Sequence, residues 1–202
     1  MKTRNKPTRI LWTALAVLIF AGVAVVVYAA LSQRADALPN LTNVPDFTLT
    51  SQRNERVSLS DLKGHVWVAD LIFTTCSGPC LVMTSQMSRV QEATKGRPEF
   101  RMVSVSVDPT RDTPERLDWY ARLALADGRW IFLTGDMAEI RSLAIDGFKL
   151  GVENSGDPNA ILHSEKFVLV DRGGVIRGYY DGKDEADVDR LIADARRLMS
   201  SS

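Results

Sequence analysis

Beyond residue 45, segments with one of two different periods of apolar and polar positions alternate along the chain. Short runs that alternate or are almost continuously apolar predict strands, whereas apolar positions three or four apart predict helices. The predicted strands cover residues 46–50, 57–59, 66–73, 100–107, 130–133, 166–171 and 175–180. The predicted helices cover residues 77–93, 137–145 and 185–199, and a further helix opens at Thr113, Pro114 and Glu115. This alternation indicates an α/β sheet with flanking helices, and its first two strands indicate an N-terminal β-hairpin.

A long apolar segment precedes this region. Residues 10–31 are 22 residues without a charge, close to the roughly 20 that a helix needs to cross a bilayer. We expect one uncleaved transmembrane helix here, because the apolar part of a cleaved signal peptide is only about 7–15 residues long. Cleavage is the alternative, since small residues occur at 28–30 and 35–37. Four basic residues precede the segment and place the N-terminus in the cytoplasm: Lys2, Arg4, Lys6 and Arg9.

The sequence therefore predicts four regions. They are a basic cytoplasmic N-terminus at 1–9, a transmembrane anchor at 10–31, a polar linker at 32–45 and a folded domain at 46–202. We expect a single-pass protein of a bacterial inner membrane, with its C-terminal domain facing the periplasm or the outside.

Charge and cysteine content narrow the function. Lys and Arg total 25 and Asp and Glu total 25, so the formal net charge is zero. A neutral chain gives no electrostatic reason to expect nucleic-acid binding. Two cysteines are too few for a disulfide-dense scaffold or a four-cysteine zinc site.

Both cysteines lie where a buried strand is predicted to lead into a helix. Cys76 follows the strand at 66–73, and Cys80 is expected in the first helical turn. A helix N-terminus carries partial positive charge and free N–H groups, which favour the thiolate that attacks disulfides and binds metal ions. The alternative is a pair of buried apolar residues or a structural disulfide. Ligands of open α/β sheets bind at the carboxyl ends of the strands, which favours a functional pair.

His163 stands three residues before the predicted strand at 166–171. In a thioredoxin-like sheet the loop before this strand faces the cysteine loop, so the imidazole can reach both sulfurs. Two thiolates and one imidazole are a soft donor set that suits copper, whereas zinc would need a fourth ligand such as water. A solvated loop histidine is the alternative. His65 precedes the buried strand at its amino end, away from the cysteines, and we expect it at the surface.

Four stretches together are typical of one family: residues 46–49 (DFTL), 73–80 (FTTCSGPC), 106–114 (SVDPTRDTP) and the histidine ahead of Val170-Asp171. With them, and with the single N-terminal span, the chain resembles the Sco/SenC family of copper-binding, thioredoxin-like proteins. The resemblance implies that Cys76, Cys80 and His163 bind a copper ion. It also implies a role in assembling the dinuclear copper centre of cytochrome c oxidase. Leu81 and Leu162 depart from the family pattern, which usually has proline and often has aspartate there, but neither change removes a ligand.

Two aspartates are candidates for groups that tune this site. Asp70 interrupts an apolar strand, and a buried carboxylate costs several kcal/mol unless it is paired or hydrogen-bonded. We expect a structural partner for Asp70, with tuning of the cysteines as the alternative. Asp108 is expected near the cysteine loop, either as a turn residue or as a tuning group. Asp112 is expected to start the next helix.

Three functions would use such residues. A metallochaperone would pass copper to the copper-bearing subunit of cytochrome c oxidase or to another copper protein, with no small substrate to turn over. A thiol-disulfide oxidoreductase would reduce partner cysteines before metal insertion. Its usual motif has two spacer residues and a proline just before the facing strand, whereas this chain has three spacer residues and His163 there, so metal binding is favoured. A peroxidase would need a peroxide-activating Thr/Cys/Arg pattern, and none is obvious.

Overall fold

The structure, a computed structural model, describes residues 12, 15–23, 25, 38–76, 78–150 and 164–200. The chain divides into two compact units, Met1–Leu38 and Pro39–Ser202. In the first unit, residues 15–23 are helical and carry exposed large apolar side chains such as Leu15 and Phe20. Within the described residues, no helix combines the length and the apolar character needed to cross a membrane.

In the second unit, the described residues form one eight-stranded sheet. Its strands are β1 (Thr42–Asn43), β2 (Thr48–Ser51), β3 (Arg56–Ser58), β4 (Val66–Ile72), β5 (Phe100–Ser106), β6 (Trp130–Thr134), β7 (Lys166–Val170) and β8 (Val175–Asp181). The helices are α1 (Leu59–Leu62), α2 (Pro79–Ala93), α3 (Pro114–Leu123), α4 (Met137–Ser142) and α5 (Glu185–Ser200), with a π-helical turn at Leu143–Gly147. This arrangement confirms the predicted α/β sheet with flanking helices.

The order of the strands places the candidate residues at one end of the sheet. The order is β1-β8-β7-β4-β5-β6-β2-β3. Strands β4, β5 and β6 are parallel, whereas β7 runs antiparallel to β4. The carboxyl ends of β4 and β5 and the amino end of β7 therefore meet at the same edge. Strands β2 and β3 form the predicted N-terminal hairpin.

Strand β4 is buried along its whole length, as its continuous apolar pattern predicts. Trp67, Ala69 and Leu71 belong to the large apolar core that also contains residues of the hairpin, α4 and the π-helical turn. Because side chains alternate across a strand, Asp70 points to the opposite face. It therefore lies on a different side of the sheet from this apolar core.

The predicted linker at 32–45 ends too late, because residues 41–44 already belong to the sheet. Thr42–Asn43 pairs with β8. The N–H of Leu41 also donates to the carbonyl of Ile176 at 2.9 Å, and the N–H of Val44 donates to that of Gly174 at 2.9 Å. These bonds satisfy backbone groups on the edge of β8 that faces away from β7. A strand of two residues has no periodic pattern, so hydrophobicity alone did not reveal it.

The predicted helix at 137–145 changes its winding at Leu143. Its last turn is a π-helix, in which the N–H of Phe148 donates to the carbonyl of Leu143 at 2.7 Å. A side chain at Gly147 would lie 3.0 Å from Leu143 Cδ1 and 3.2 Å from Pro45 Cδ. The missing side chain thus leaves room for the segment that enters β2.

Candidate functional site

The cysteine loop begins where β4 ends. The N–H of Cys76 donates to the carbonyl of Phe73 at 3.1 Å, which closes a tight turn. Gly78 precedes the helix and Pro79 is its first residue, a position where the missing N–H of proline leaves no helical bond unmade. Cys80 lies in the first turn of α2, where the sequence predicted it. Cys76 is partly exposed and Cys80 is 2% exposed, and both are free thiols.

The two thiols lie close enough to shift each other's pKa, and they differ in acidity. Burial acts to raise the pKa of Cys76. The hydrogen bonds that its sulfur accepts from the Cys80 thiol and from the N–H groups of Gly78 and Cys80 outweigh burial, and they lower this pKa below its ordinary value. Burial raises the pKa of Cys80 to about 12, and the hydrogen bond it donates to Cys76 acts in the same direction. The exposed sulfur is therefore the one that more readily becomes a thiolate.

Asp70 lies close enough for its charge to raise the pKa of Cys80 further. The Ser104 hydroxyl donates to Asp70 Oδ1 at 2.6 Å, and the indole N–H of Trp130 donates to the Ser104 oxygen at 2.9 Å. Among the described residues, Oδ2 has no hydrogen-bond partner. Burial consequently raises the pKa of Asp70 to about 7, although the Ser104 bond opposes the shift. Asp70 thus has the expected structural partner for one oxygen only.

Asp108 forms the turn that follows β5. Its Oδ2 accepts a hydrogen bond from Arg111 Nη1 at 2.8 Å, and its N–H donates to the Ser106 hydroxyl oxygen at 3.1 Å. Its carbonyl oxygen accepts from the N–H groups of Arg111 and Asp112. These bonds are those of a turn residue, and none of them reaches a cysteine.

Asp112 has a role that the sequence did not reveal. Thr113, not Asp112, is the N-cap of α3 and accepts a hydrogen bond from the N–H of Arg116. The carboxylate of Asp112 is fully buried and holds Thr74, two residues before Cys76. The pairing spans 38 positions, and a threonine just after a buried strand was the only hint of it in the sequence.

Tyr120 is another neighbour of the site that the sequence did not reveal. Burial raises its pKa to about 12, and the charges of Asp70, Cys80 and Cys76 contribute to the shift. Its hydroxyl is 2.8 Å from that of Thr84, so it joins α3 to the helix that carries Cys80.

His163, the third predicted ligand, lies outside the described residues. Among the residues that the structure does describe, no three His, Cys, Asp or Glu side chains gather in a way that would hold a metal ion. His65, the other histidine, lies just before β4 at the opposite end of the strand from the cysteines. It is half-buried there and not at the surface as expected.

Gly182 contacts both the residue that precedes β7 and the helix that carries Cys80. Glu165, two residues after position 163, accepts a hydrogen bond from the N–H of Gly182 at 2.7 Å. A Cβ at Gly182 would lie 3.1 Å from both the Glu165 carbonyl oxygen and Met83 Cγ. Met83 follows Cys80 by three residues in α2. Gly182 thus lies between the residue that precedes β7 and the helix that carries Cys80.

The described part of the site supplies two adjacent sulfur donors, one of them accessible and prone to ionise. Such a pair suits a soft metal ion, which two thiolates bind but do not enclose. It also suits thiol-disulfide exchange, in which an acidic exposed thiol attacks and a less acidic buried one resolves. The geometry thus supports both chemistries that the sequence indicated.

Comparison with known proteins shows which family the chain is similar to. Residues 35–200 match the SCO1/SenC family. The SCO1 protein homolog of Bacillus subtilis strain 168 is 36% identical over 156 residues, which cover 76% of this chain and 81% of that protein.

Solved structures show the same architecture. BsSco, a member of the Sco family of cytochrome c oxidase assembly proteins in which a disulfide switch has been identified, matches with a TM-score of 0.71 and 33% identity. The match covers 82% of this chain and 98% of BsSco. Bradyrhizobium japonicum ScoI with copper bound matches with a TM-score of 0.64 and 25% identity, covering 77% and 99% of the two chains. These likenesses confirm the predicted thioredoxin-type fold of the domain.

Proposed function

The chain belongs to the SCO1/SenC family, and on that basis we propose that it is a copper chaperone. Cys76, Cys80 and His163 hold the copper ion, and the protein delivers it to the copper centre of cytochrome c oxidase. The observation that carries the proposal is the placement of two free thiols after the carboxyl end of β4, with Cys76 partly exposed and Cys80 in the first turn of α2. The similarity to a ScoI structure with copper bound supports the choice of metal.

The position of the described strand that follows His163 supports this residue as the third ligand. Strand β7 begins three residues after His163 and runs antiparallel to β4, so it starts at the edge of the sheet from which the cysteine loop leaves. The Glu165 carbonyl accepts a hydrogen bond from Gly182, which lies close to Met83 of α2. In this proposal the imidazole of His163 binds the metal from that end of the sheet.

Copper is cargo in this proposal, and the site is suited to releasing it. Cys76 is partly exposed, so a recipient thiol or imidazole can approach the metal from solvent. Cys80 is buried and anchored in a helix, which keeps the pair in place while ligands exchange. Three soft donors leave room for a ligand from the recipient.

We propose further that residues 10–31 anchor the protein in a bacterial inner membrane, with the C-terminal domain facing the periplasm. The uncharged length of this segment and the four basic residues before it support that orientation. The exposed apolar side chains of helical residues 15–23 support a lipid-facing surface. Cysteine accessibility to a membrane-impermeant reagent in intact cells tests it, because labelling of Cys76 only after lysis would place the domain in the cytoplasm.

Copper titration of the reduced full-length chain tests the binding proposal. One Cu(I) per chain is expected, with loss of binding in Cys76→Ala and Cys80→Ala and strong weakening in His163→Ala. His65→Ala is the matched control, since it removes the other histidine and should bind as the wild type does. Equal binding by the wild type and the double cysteine variant would reject the site.

The unequal acidity of the two thiols favours thiol-disulfide exchange as a second function. In that function the Cys76 thiolate attacks a partner disulfide, and Cys80 then displaces the partner and forms the intramolecular disulfide. The metal-free dithiol should then reduce a partner disulfide, and His163→Ala should leave the rate almost unchanged. A rate that depends on copper, or that falls with His163→Ala, would count against this second function.

A further inference from the structure

A buried carboxylate reaches the turn that carries Cys76. Asp112 Oδ2 accepts the backbone N–H of Thr74 at 3.0 Å, and Oδ1 accepts the Thr74 hydroxyl at 2.5 Å. The Ser106 hydroxyl donates to Oδ2 at 2.6 Å. Asp112 thus accepts both hydrogen bonds that Thr74 can donate.

Thr74 is the second residue of the turn from Phe73 to Cys76, so its placement fixes where Cys76 emerges. It is buried, whereas its neighbour Thr75, of the same residue type, is exposed. The Ser106 bond ties the same carboxylate to the end of β5, and the N–H of Val107 donates to the carbonyl of Ile72 at 2.9 Å. The turn is therefore attached to the rigid end of the sheet and not only to its own strand.

A cation, Arg116, also contacts Thr74. Arg116 Nε donates to the Thr74 hydroxyl oxygen at 2.9 Å, while that hydroxyl donates to Asp112. The guanidinium of Arg116 also stacks on Trp119, with its carbon 4.2 Å from the ring centroid. Thr74 is thus held between a buried anion and a cation that is itself fixed, and charge-assisted hydrogen bonds of this kind are short and directional.

We propose that Asp112 is a positioning residue of the copper site, which acts by fixing Thr74 and thereby the distance between the sulfurs of Cys76 and Cys80. The inference rests on the proposed function, since the placement of these sulfurs matters only if they are the reacting pair. It explains why a fully buried carboxylate is kept beside this loop although it contacts neither cysteine. The inference also gives Asp112 a different role from Asp108, whose hydrogen bonds remain within its own turn.

The test measures the effective concentration of the two thiols in the metal-free full-length chain. This quantity comes from the equilibrium of the Cys76–Cys80 disulfide with glutathione, and it falls when the two sulfurs are less well oriented. Asp112→Asn and Thr74→Val should lower it by about tenfold or more. Thr74→Ser keeps the hydroxyl and should stay within about twofold of the wild type.

Two matched controls separate positioning from stability. Thr75→Val makes the same change at the exposed neighbour and should leave the effective concentration unchanged. Asp136→Ala removes the N-cap of α4 and no bond of this network, so it should lower the urea midpoint but not the effective concentration. The inference is wrong if Asp112→Asn and Thr74→Val lower only the urea midpoint, as Asp136→Ala does.

Copper titration of the same proteins distinguishes this inference from the proposed function. If the wild type binds no copper but the thiol equilibrium shifts as expected, the chaperone proposal fails and the positioning role stands. If the wild type binds copper and Thr74→Val changes neither the thiol equilibrium nor the copper affinity, the positioning role fails and the chaperone proposal stands.

Discussion

Asp70 places a carboxyl group inside a buried strand, and the folded chain should therefore lose stability as the pH rises. Burial raises the pKa of Asp70 from its ordinary value of 3.8 to about 7. Between pH 3.8 and about pH 7, Asp70 keeps its proton in the folded state, whereas the unfolded chain releases it near pH 3.8. The contribution to stability is thus fully present below pH 3.8, is lost as the pH rises toward 7, and is constant above that.

The size of the loss follows from the shift. Each pH unit within the window favours the unfolded state by about 1.4 kcal/mol. Between pH 5 and pH 8, the free energy of unfolding of the wild type should fall by about 2.5 kcal/mol through Asp70 alone. Urea unfolding of the reduced, copper-free full-length chain at these two pH values measures it.

Two substitutions isolate the effect of Asp70. Asp70→Asn and Asp70→Leu have different absolute stabilities, because one buries an amide and the other adds apolar volume. Both remove the titrating group, so in both variants the fall in the free energy of unfolding that Asp70 causes between pH 5 and pH 8 should be absent. Ser104→Ala removes the bond that lowers the pKa of Asp70 and should enlarge the loss. An identical pH dependence in the wild type and both Asp70 variants would refute the reasoning.

The remaining predictions concern the packing around the site. Gly182→Ala should destabilise the fold by about 1–3 kcal/mol and weaken copper binding, because its Cβ would lie 3.1 Å from the Glu165 carbonyl oxygen and from Met83 Cγ. Gly128→Ala is the control in both assays, because its Cβ would lie 3.9 Å from Arg53 Nη2, its nearest neighbour among the described residues. Equal losses in the two variants would contradict this reasoning. Asp136→Ala removes the N-cap of α4 and should cost about 1 kcal/mol in urea unfolding. Copper affinity should not change, and a clear loss of affinity would show that α4 affects the site.

Much of the sheet could be predicted because its strands and helices have strong periodic patterns. Strand β4 was expected at 66–73 and lies at Val66–Ile72, and α2 was expected at 77–93 and lies at Pro79–Ala93. The two-residue strand β1 was not predicted, because it depends on pairing with β8 and not on its own pattern.

The candidate site was predictable only in part, for a related reason. The spacing of Cys76 and Cys80 at a junction between strand and helix is local, and it brings both thiols to one end of the sheet. The hold of Asp112 on Thr74 depends on two loops that meet only in the folded sheet. The role of His163 stays a prediction that rests on the family resemblance and on the position of β7.

The central claim is that two sulfurs and one imidazole hold a single copper ion. X-ray absorption at the copper edge of the loaded full-length chain tests it most directly, since it counts the sulfur and nitrogen neighbours of the metal. Two sulfur neighbours and one imidazole are expected in the wild type, and two sulfur neighbours with no imidazole signal in His163→Ala. A wild-type spectrum with only oxygen and nitrogen neighbours, or an imidazole signal that persists in His163→Ala, would contradict the claim.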